Sequence, residues 1–307
     1  MIELESKHLR ASFTPLGARL VSVYFDGVDV VAGARDDAGF MAGEVYAGAV
    51  CGRFAGRISH ARFPLDGREI VLTPTAGGDQ LHGGPTNFCN TLWKAEPSGS
   101  TVKFSLHSPD GDQGFPGDLD VTAAYGLEGS VLSLELEART AKPTVINLTN
   151  HTYWNLAGQG SGLDQEAMIE AQSYLPLNER KLPTGAVATV AGTRWDFRKM
   201  RKVGEPYDHC FVLGGRRGEL KRACVMRDPK SGRRMEVHTT ECGLQFYTAD
   251  HWSEAMTGKY GPLSQHCSIA IEPQNFPDAP NHPNFPSAVL RPGEVYRHRS
   301  EWRFSVG

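Results

Sequence analysis

The carboxylate of Glu272 stands where a side chain of its kind can take up a proton. It follows the apolar run Ile269-Ala-Ile271, which predicts a buried strand, and Pro273 comes next and is expected to stop the strand ladder. Burial at such a position would raise the pKa of the carboxyl toward neutrality, which suits a general base. Because glutamate is mostly exposed in proteins, a surface side chain at a strand exit is the competing interpretation.

A second concentration of polar groups is the run Asn147-Leu-Thr-Asn-His-Thr-Tyr-Trp-Asn-Leu156. On a strand, Asn147, Thr149 and His151 would share one face. Amides and hydroxyls beside two aromatic residues are typical of a sugar-binding site, where sugar hydroxyls meet amides and sugar rings pack on aromatic rings. The alternative is a polar strand end whose side chains only satisfy neighbouring backbone groups.

Three shorter motifs add candidate ligands. Arg53 and Arg57 stand four apart in a glycine-flanked run, either as ligands or as ordinary surface arginines. His82 is followed by two glycines, a setting in which a ligand can approach the backbone closely, although a loop histidine is more often a bystander. Asp208 and His209 lie immediately before an apolar, strand-like run.

Strands rather than helices must position these residues. Runs rich in β-branched and aromatic residues, separated by Asp-Gly turns, predict strands. In one of them Leu132, Leu134 and Leu136 would face one side of a sheet, while segment 164–171 fits either a short helix or a strand. The predicted strands are 20–25, 28–31, 102–107, 121–127, 131–138, 144–148, 223–227, 235–239, 244–248, 268–272 and 294–304.

The composition fits this picture. The 307 residues include 34 glycines and 19 prolines that are scattered along the chain, as many short strands joined by tight turns require. We find no repeat or linker, so we expect a single domain, 1–307, of the all-β class: two large antiparallel sheets packed face to face, with few short helices.

Charge and cysteine content narrow the possible partners and location. A formal net charge of −3 gives no reason to expect a nucleic-acid partner, and no run approaches the ~20 apolar residues of a membrane span. The six cysteines are widely spaced without a C-x-x-C pair, which predicts free thiols rather than disulfides or a zinc site. The start of the chain lacks the features of a secretion signal, so we expect a cytoplasmic protein.

Taken in order, the motifs resemble the aldose 1-epimerase (galactose mutarotase) family from about residue 17 to the end of the chain. The individual pieces are short and unspecific, but the asparagine-rich run with its central histidine, together with the late Glu-Pro-Gln, is specific. The matching segments are Gly52-Arg-Phe-Ala-Gly-Arg-Ile58, Leu81-His-Gly-Gly84, 147–156, Tyr207-Asp-His209, Gly243-Leu-Gln-Phe-Tyr-Thr248, Ile271-Glu-Pro-Gln274 and Leu290-Arg-Pro-Gly-Glu-Val-Tyr296.

The resemblance implies a β-supersandwich with one open sugar cleft, and neither a metal nor a cofactor. It assigns Glu272 as the base that removes the proton of the C1 hydroxyl and His151 as the acid that protonates the ring oxygen. The substrate-binding residues that it implies are His82 near the ring oxygen, Arg57 and Asp208 on ring hydroxyls, and Gln245 in support. The partner would be a monosaccharide, and the protein a monomer or a weak homodimer.

The sequence departs from the family pattern in ways that leave the sugar open. Gly56 stands where the family usually has asparagine, Asn87-Phe88 replaces a usual Gly-Phe, and Trp154 replaces a frequent phenylalanine. The loss of an amide beside Arg57 removes a donor and an acceptor for sugar hydroxyls, so a pentose, a deoxy sugar or an acidic sugar is a candidate besides galactose.

Three other functions remain open from the sequence. A non-catalytic carbohydrate-binding protein could use the same scaffold. A hexose-6-phosphate 1-epimerase-like enzyme would need further cations over the cleft, for which Arg53 or Arg62 are candidates. A glycoside hydrolase would need a second carboxylate on the other side of the sugar from Glu272, with Asp208 as the candidate.

Overall fold

Thirty short and long strands dominate the computed structural model, within the residues that it describes: 1–43, 46–75 and 77–307. The helical elements are one α-helix, α1 Asp37–Ala42, and the 3-10 turns Ser59–Ala61, Phe88–Asn90, Asp112–Gly114, Gly162–Asp164 and Ala279–Asn281. The strands are β1 Ile2–Glu5, β2 Leu9–Thr14, β3 Arg19–Phe25, β4 Val28–Asp29, β5 Val31–Ala32, β6 Val50–Cys51, β7 Arg57–Ile58, β8 Arg62–Leu65, β9 Arg68–Val71, β10 Gln80–Leu81, β11 Lys94–Ser98, β12 Thr101–Ser108, β13 Leu119–Glu128, β14 Val131–Thr140, β15 Thr144–Val145, β16 Thr149–Asn150, β17 Tyr153–Trp154, β18 Glu166–Ile169, β19 Ala171–Tyr174, β20 Ala188–Thr189, β21 Arg201–Lys202, β22 Asp208–Leu213, β23 Lys221–Arg227, β24 Arg233–Thr239, β25 Gly243–Tyr247, β26 Thr257–Gly258, β27 Gly261–Pro262, β28 Ile269–Gln274, β29 Val289–Leu290 and β30 Tyr296–Val306.

Two large antiparallel sheets form the body of the fold. One has nine strands in the order β11-β12-β13-β14-β30-β24-β23-β18-β21, and the other has seven in the order β20-β19-β22-β25-β28-β17-β5. A four-stranded sheet, β1-β2-β3-β4, accompanies them. The predicted all-β architecture is therefore confirmed.

The largest buried apolar cluster takes side chains from all three sheets, for example Phe13 of β2, Leu134 of β14 and Phe246 of β25. Alternation along the strands makes this possible, because successive side chains point to opposite faces. In β14, Leu132, Leu134 and Leu136 are all buried as predicted. The seven-stranded sheet thus covers the core with one face and leaves its other face for other chemistry.

Most of the predicted strands are present with small shifts in their ends. The undecided segment 164–171 contains the end of the 3-10 turn Gly162–Asp164, strand β18 and the first residue of β19. The predicted strand 28–31 divides into β4 and β5, and the predicted strand 144–148 shrinks to β15, because the chain leaves the ladder before β16.

The prediction that Pro273 ends its strand is wrong. β28 continues to Gln274, and Pro273 pairs in register with Leu244 of β25. The carbonyl of Pro273 accepts a hydrogen bond from Thr149 Oγ1 at 2.8 Å, on the side of β28 away from β25. The N–H that proline lacks would point to that same side, so the ladder with β25 loses no donor.

The prediction of free thiols agrees with the structure, in which none of the six cysteines, all of them described, forms a disulfide. Two of them, Cys51 and Cys89, are buried with their sulfur atoms 3.4 Å apart. No helix in the described parts of the chain is long and apolar enough to span a membrane.

His298 on β30 is a buried imidazole whose charge state should be visible in the stability of the fold. Its Nδ1 lies 3.1 Å from the carbonyl of Leu148, which can only accept, so Nδ1 carries the hydrogen. Ser300 Oγ lies 2.8 Å from Nε2 and can donate to it. Burial lowers the pKa of His298 below its ordinary value of 6.5, so the imidazole stays neutral where the unfolded chain begins to take up a proton.

We therefore expect the His298 contribution to stability to be complete above pH 6.5 and to be lost as the pH falls toward its folded-state pKa. The slope from this group is at most about 1.4 kcal/mol per pH unit. Urea unfolding of the wild type and of His298→Gln at pH 7.5 and 5.5 measures it. The variant should lose less stability between the two pH values than the wild type, and an equal loss would contradict the assignment.

Candidate active site

A cleft of about 220 Å³ opens over the seven-stranded sheet, on the face turned away from the apolar core. An engineered cavity of about 150 Å³ is enough to bind benzene, so this volume suits one substituted six-membered ring. Strands β22, β25 and β28 form the floor, each through alternate residues. The side chains that line the cleft from these strands are Asp208 and Cys210 on β22, Gln245 and Tyr247 on β25, and Glu272 and Gln274 on β28.

The strand register explains how this floor is assembled from three distant segments. Gln245 pairs with Glu272 on one side and with Cys210 on the other, so the three side chains form one row across the sheet. In the next row Tyr247 lies opposite Asp208. Directly opposed residues of antiparallel strands point to the same face, so the register alone brings these polar groups together.

His151 and Glu272 meet at the bottom of the cleft. The imidazole Nε2 lies 3.4 Å from the carboxylate Oε1, and the two side chains are only 5% and 2% exposed. Removing both groups from water this completely costs free energy unless they interact. Each side chain therefore needs the other as its partner. The sequence prediction that Glu272 is buried is confirmed, and the interpretation as a surface residue is wrong.

The polar run around His151 has a different role from the predicted one. Asn147 Nδ2 donates to the carbonyls of Ala55 and Asn275, and Asn147 Oδ1 accepts from the Asn275 backbone N–H at 2.8 Å. Thr149 donates to the Pro273 carbonyl from the same face. These groups bind backbone rather than ligand, so they fix His151 against β28, and the shared face predicted for Asn147, Thr149 and His151 is confirmed.

His82 lies beside the acid–base pair, with its ring centroid 5.3 Å from that of His151. The backbone N–H of Gly56 donates to His82 Nδ1 at 3.2 Å, which leaves Nε2 to carry the hydrogen of the neutral ring. The pKa of His82 is well below its ordinary value, chiefly through burial and further through His151 and Arg57. His82 therefore presents one N–H donor.

A close contact between two backbone segments requires the glycine that follows His82. A Cβ on Gly83 would lie 1.9 Å from the carbonyl oxygen of Gly52, and its φ is +93°. Only glycine allows the two backbones to pass so closely.

The two arginines of the first motif, Arg53 and Arg57, lie in different surroundings and have different roles. Arg53 is 1% exposed and donates to the side chain and the carbonyl of Ser108, the last residue of β12, and to three carbonyls of the loop that follows. It therefore holds that loop and is not available to a ligand. Arg57 lines the cleft. Its guanidinium makes no ion pair with the described residues, so its donors are available to a cleft occupant.

Gly56, next to Arg57, also lines the cleft. A Cβ at this position would lie 3.1 Å from Cβ of Pro277, another residue of the cleft wall, and φ is +80°. The wall here consists of backbone and a proline ring, where a longer polar side chain would crowd Pro277.

Asp208 is held by two neighbours. Gln245 Nε2 donates to its Oδ1 at 2.7 Å, and the ammonium of Lys181 lies 3.1 Å from its Oδ2. Lys181 lines the cleft with its own φ at +60°, and its neighbour Arg180 bonds to Asp79, the residue before β10. Asp208 lies on the same sheet face as Glu272, not across the cleft from it.

Aromatic rings complete the cleft. The ring of Tyr46 is tilted against that of His82 and stacked with that of His151, with ring centroids 4.8 and 6.2 Å away. The ring centroid of Tyr153 lies 4.9 Å from that of His151. Trp154, predicted to belong to a sugar site, is instead fully buried against Trp302, because adjacent strand residues point to opposite faces.

Several cleft residues escaped the sequence analysis as individual candidates. A period of two from Gln245 and Glu272 would have found Tyr247 and Gln274, because alternate strand residues share a face. No local pattern signals the residues that come from irregular loops. These are Tyr46, Leu177, Lys181, His251 and Pro277.

The six predicted site residues, His151, Glu272, His82, Arg57, Asp208 and Gln245, therefore all line one cleft. Residues 1–303 match the family model described as aldose 1-epimerase. The chain belongs to the aldose 1-epimerase family.

Relatives share most of their length with this chain. A galactose mutarotase of Bos taurus is 39% identical over 99% of this chain and 93% of its own length. An aldose 1-epimerase of Escherichia coli is 34% identical over 88% of this chain and 81% of its own. The crystal structure of a GalM/aldose epimerase homologue from C. elegans superposes with a TM-score of 0.94 at 28% identity, covering 99% and 98% of the two chains.

Lys181 provides a test of the cleft edge. Lys181→Met removes the ammonium beside Asp208 but keeps the length of the side chain. Because this ion pair is half exposed, with Lys181 at 53%, we expect KM for an aldose to rise only about two- to fivefold, with kcat within twofold. Steady-state kinetics measure both constants.

Lys202→Met is the matched control, since Lys202 also pairs with an aspartate, Asp164 at 2.8 Å, but lies outside the cleft lining. It should leave KM and kcat unchanged. A large fall in kcat with unchanged KM in Lys181→Met would contradict a role in binding.

Proposed function

We propose that this protein interconverts the α and β anomers of a free aldose, with galactose as the first candidate, and that Glu272 and His151 perform the proton transfers. The observation that carries the proposal is the 3.4 Å contact between His151 Nε2 and Glu272 Oε1 at the floor of a cleft sized for one sugar ring. The galactose mutarotase of Bos taurus, which this chain resembles over 99% of its length, supports galactose as the substrate.

The reaction requires a base and an acid at two oxygens of one carbon. The hydroxyl and the ring oxygen of an aldose are both bonded to C1, so the base and the acid must be neighbours. The contact between Glu272 and His151 meets this requirement, because one carboxylate oxygen and one ring nitrogen approach the same point. General acid–base catalysis of this kind typically contributes ~10²–10⁴-fold.

The proton transfers balance over a complete turnover. The Glu272 carboxylate takes the proton of the C1 hydroxyl, the C1–O5 bond breaks, and the His151 imidazolium gives its Nε2 proton to O5. After rotation about C1–C2, O5 gives its proton back to His151 and attacks the other face of the aldehyde. The C1 oxygen then regains a proton from Glu272, so both side chains return to their starting states.

Neighbouring groups fit supporting roles. We assign His82, which presents a single N–H donor next to His151, to hydrogen bonding near the ring oxygen. We assign the donors of Arg57 and the carboxylate of Asp208 to ring hydroxyls. Gln245 holds Asp208 in place through its 2.7 Å hydrogen bond.

The placement of the remaining charges favours a neutral sugar over a phosphorylated one. Arg53 donates its N–H groups to the loop after β12, so they cannot bind a phosphate. Arg62 is exposed, pairs with Glu69 and lies outside the cleft lining. Hydrolysis is not favoured either, because Asp208 shares a sheet face with Glu272, whereas glycosidases flank the scissile bond with two carboxylates.

We further propose that residues 1–307 form one domain, because the largest buried cluster draws on all three main sheets. Cytoplasmic location and a monomeric or weakly dimeric state remain expectations from the sequence.

The activity test is polarimetry or NMR saturation transfer on freshly dissolved α-aldoses: galactose, glucose, arabinose, fucose and a uronic acid. We expect faster anomer exchange, and the order of the sugars identifies the preferred substrate. Equal exchange with and without the protein for every sugar would overturn the proposed activity, and sugar binding without faster exchange would point to a binding protein.

Glu272→Gln tests the base. It preserves shape but cannot accept the proton, so kcat should fall by at least ~10²-fold while the affinity for galactose changes only a few-fold. Glu241→Gln is the control, since Glu241 is equally buried but pairs with Arg217 outside the cleft lining. It should lower thermal stability and leave kcat of the folded protein unchanged. Full activity in Glu272→Gln would sink the assignment.

A further inference from the structure

Gln274 is a buried residue of the cleft that none of the roles above uses. It is 1% exposed and lines the cleft from β28, two residues beyond the base Glu272 and on the same face of the strand. Its amide Oε1 is buried and has no hydrogen-bond partner among the described residues. Buried amides are hydrogen-bonded in the great majority of folded proteins, so this oxygen requires an explanation.

The strand register explains why the protein itself leaves this amide unpaired. The residue directly opposite Gln274 on β25 is Gly243, which has no side chain, and beyond it on β22 stands the apolar Val212. Gln245, in the adjacent row, differs because its amide reaches diagonally to Asp208 in the row beyond. The amide of Gln274 therefore stands over a gap in the polar floor, and the remaining direction for a partner is the cleft.

The chemistry of an amide defines the ligand group. A carboxamide offers one acceptor oxygen and two N–H donors, and a sugar hydroxyl is both a donor and an acceptor. A hydroxyl group over Gln274 can donate to the amide oxygen or accept from its nitrogen. Asp208 and Gln274 lie in rows on opposite sides of the row of Glu272, so the two residues would hold opposite ends of a ring that reacts at Glu272.

We propose that Gln274 is a substrate-binding residue that hydrogen-bonds one hydroxyl of the aldose, at the end of the cleft opposite Asp208. This inference rests on the proposed function for the identity of the ligand. It predicts that the amide serves the bound sugar and contributes nothing to the stability of the free protein.

The test uses Gln274→Met, a substitution of similar volume that removes both hydrogen-bonding functions. The expected result is a rise of about tenfold in KM for galactose with a smaller change in kcat. The melting temperature of the free protein should stay equal or increase, because the variant buries no unsatisfied amide. A residue with a merely structural role would instead lower the melting temperature and leave KM unchanged.

Gln165→Met is the matched control. Gln165 is also 1% exposed, but its amide is fully engaged, accepting from the Leu156 N–H at 2.9 Å and donating to Asn155 Oδ1 at 3.2 Å. This variant should melt lower and keep the wild-type KM. Gln274→Ala serves as a second variant that fits the site without steric demand, and the same increase in KM is expected.

A set of monodeoxy galactoses identifies the hydroxyl. For the sugar that lacks the contacted hydroxyl, wild type and Gln274→Met should have the same KM, because the interaction is already missing. For the other deoxy sugars the variant should again be about tenfold worse. Two results would overturn the proposal. One is that the substitution raises KM by the same factor for every deoxy sugar, and the other is that both Gln274 variants keep the wild-type KM for galactose.

Failure of the proposed function gives a different result. If the wild type accelerates no anomer exchange, the sugar-induced rise in melting temperature still reports on binding. A rise that is the same in the wild type and in Gln274→Met would overturn the contact, whereas a rise that the variant loses would support it.

Discussion

The contact between His151 and Glu272 is the interaction on which the rest of the site depends. A carboxylate and an imidazole, each at most 5% exposed, meet at 3.4 Å on the floor of a cleft. Groups of this kind are expensive to remove from water, and a small displacement of either would leave the other without its partner. The surrounding structure must therefore hold two segments that are more than a hundred residues apart in fixed positions.

The hydrogen bonds of the asparagine-rich run provide this fixation. The side chain of Asn147 bonds to the Ala55 carbonyl and to both backbone groups of Asn275, and Thr149 donates to the Pro273 carbonyl. The chain just after Glu272 is therefore tied to the run that carries His151, and through Asn147 to the segment of Ala55. Each bond crosses a large separation in sequence and is buried, where hydrogen bonds are strong and their loss leaves unsatisfied groups. The unusual density of amides thus reflects positioning of the acid–base pair, not direct contact with sugar.

The acid–base residues can be predicted from the sequence better than the residues that surround them. Glu272 could be predicted to be buried, because three apolar residues precede it, and alternate strand positions correctly put Asn147, Thr149 and His151 on one face. The prediction that both aromatic residues after His151 belong to the site is wrong for Trp154, because Tyr153 and Trp154 point to opposite faces.

Other features depend on which segments become neighbours, and no local pattern carries that information. Two examples are the binding of Arg53 to a distant loop and the ion pair that Lys181, from an irregular turn, makes with Asp208. The continuation of β28 through Pro273 is another, because it depends on which side of the strand faces β25.

The register of three strands then explains why the site is both polar and compact. On β25 and β28, the side chains that face the core, such as Leu244, Phe246 and Ile271, are apolar and fully buried, while the alternate positions carry the cleft. A shift of one residue in either pairing would bring Glu272 into the apolar core and turn Ile271 toward the cleft. The large apolar core that the alternate residues form therefore fixes the position of the base, and the stability of the fold and the geometry of the reaction follow from the same pairing.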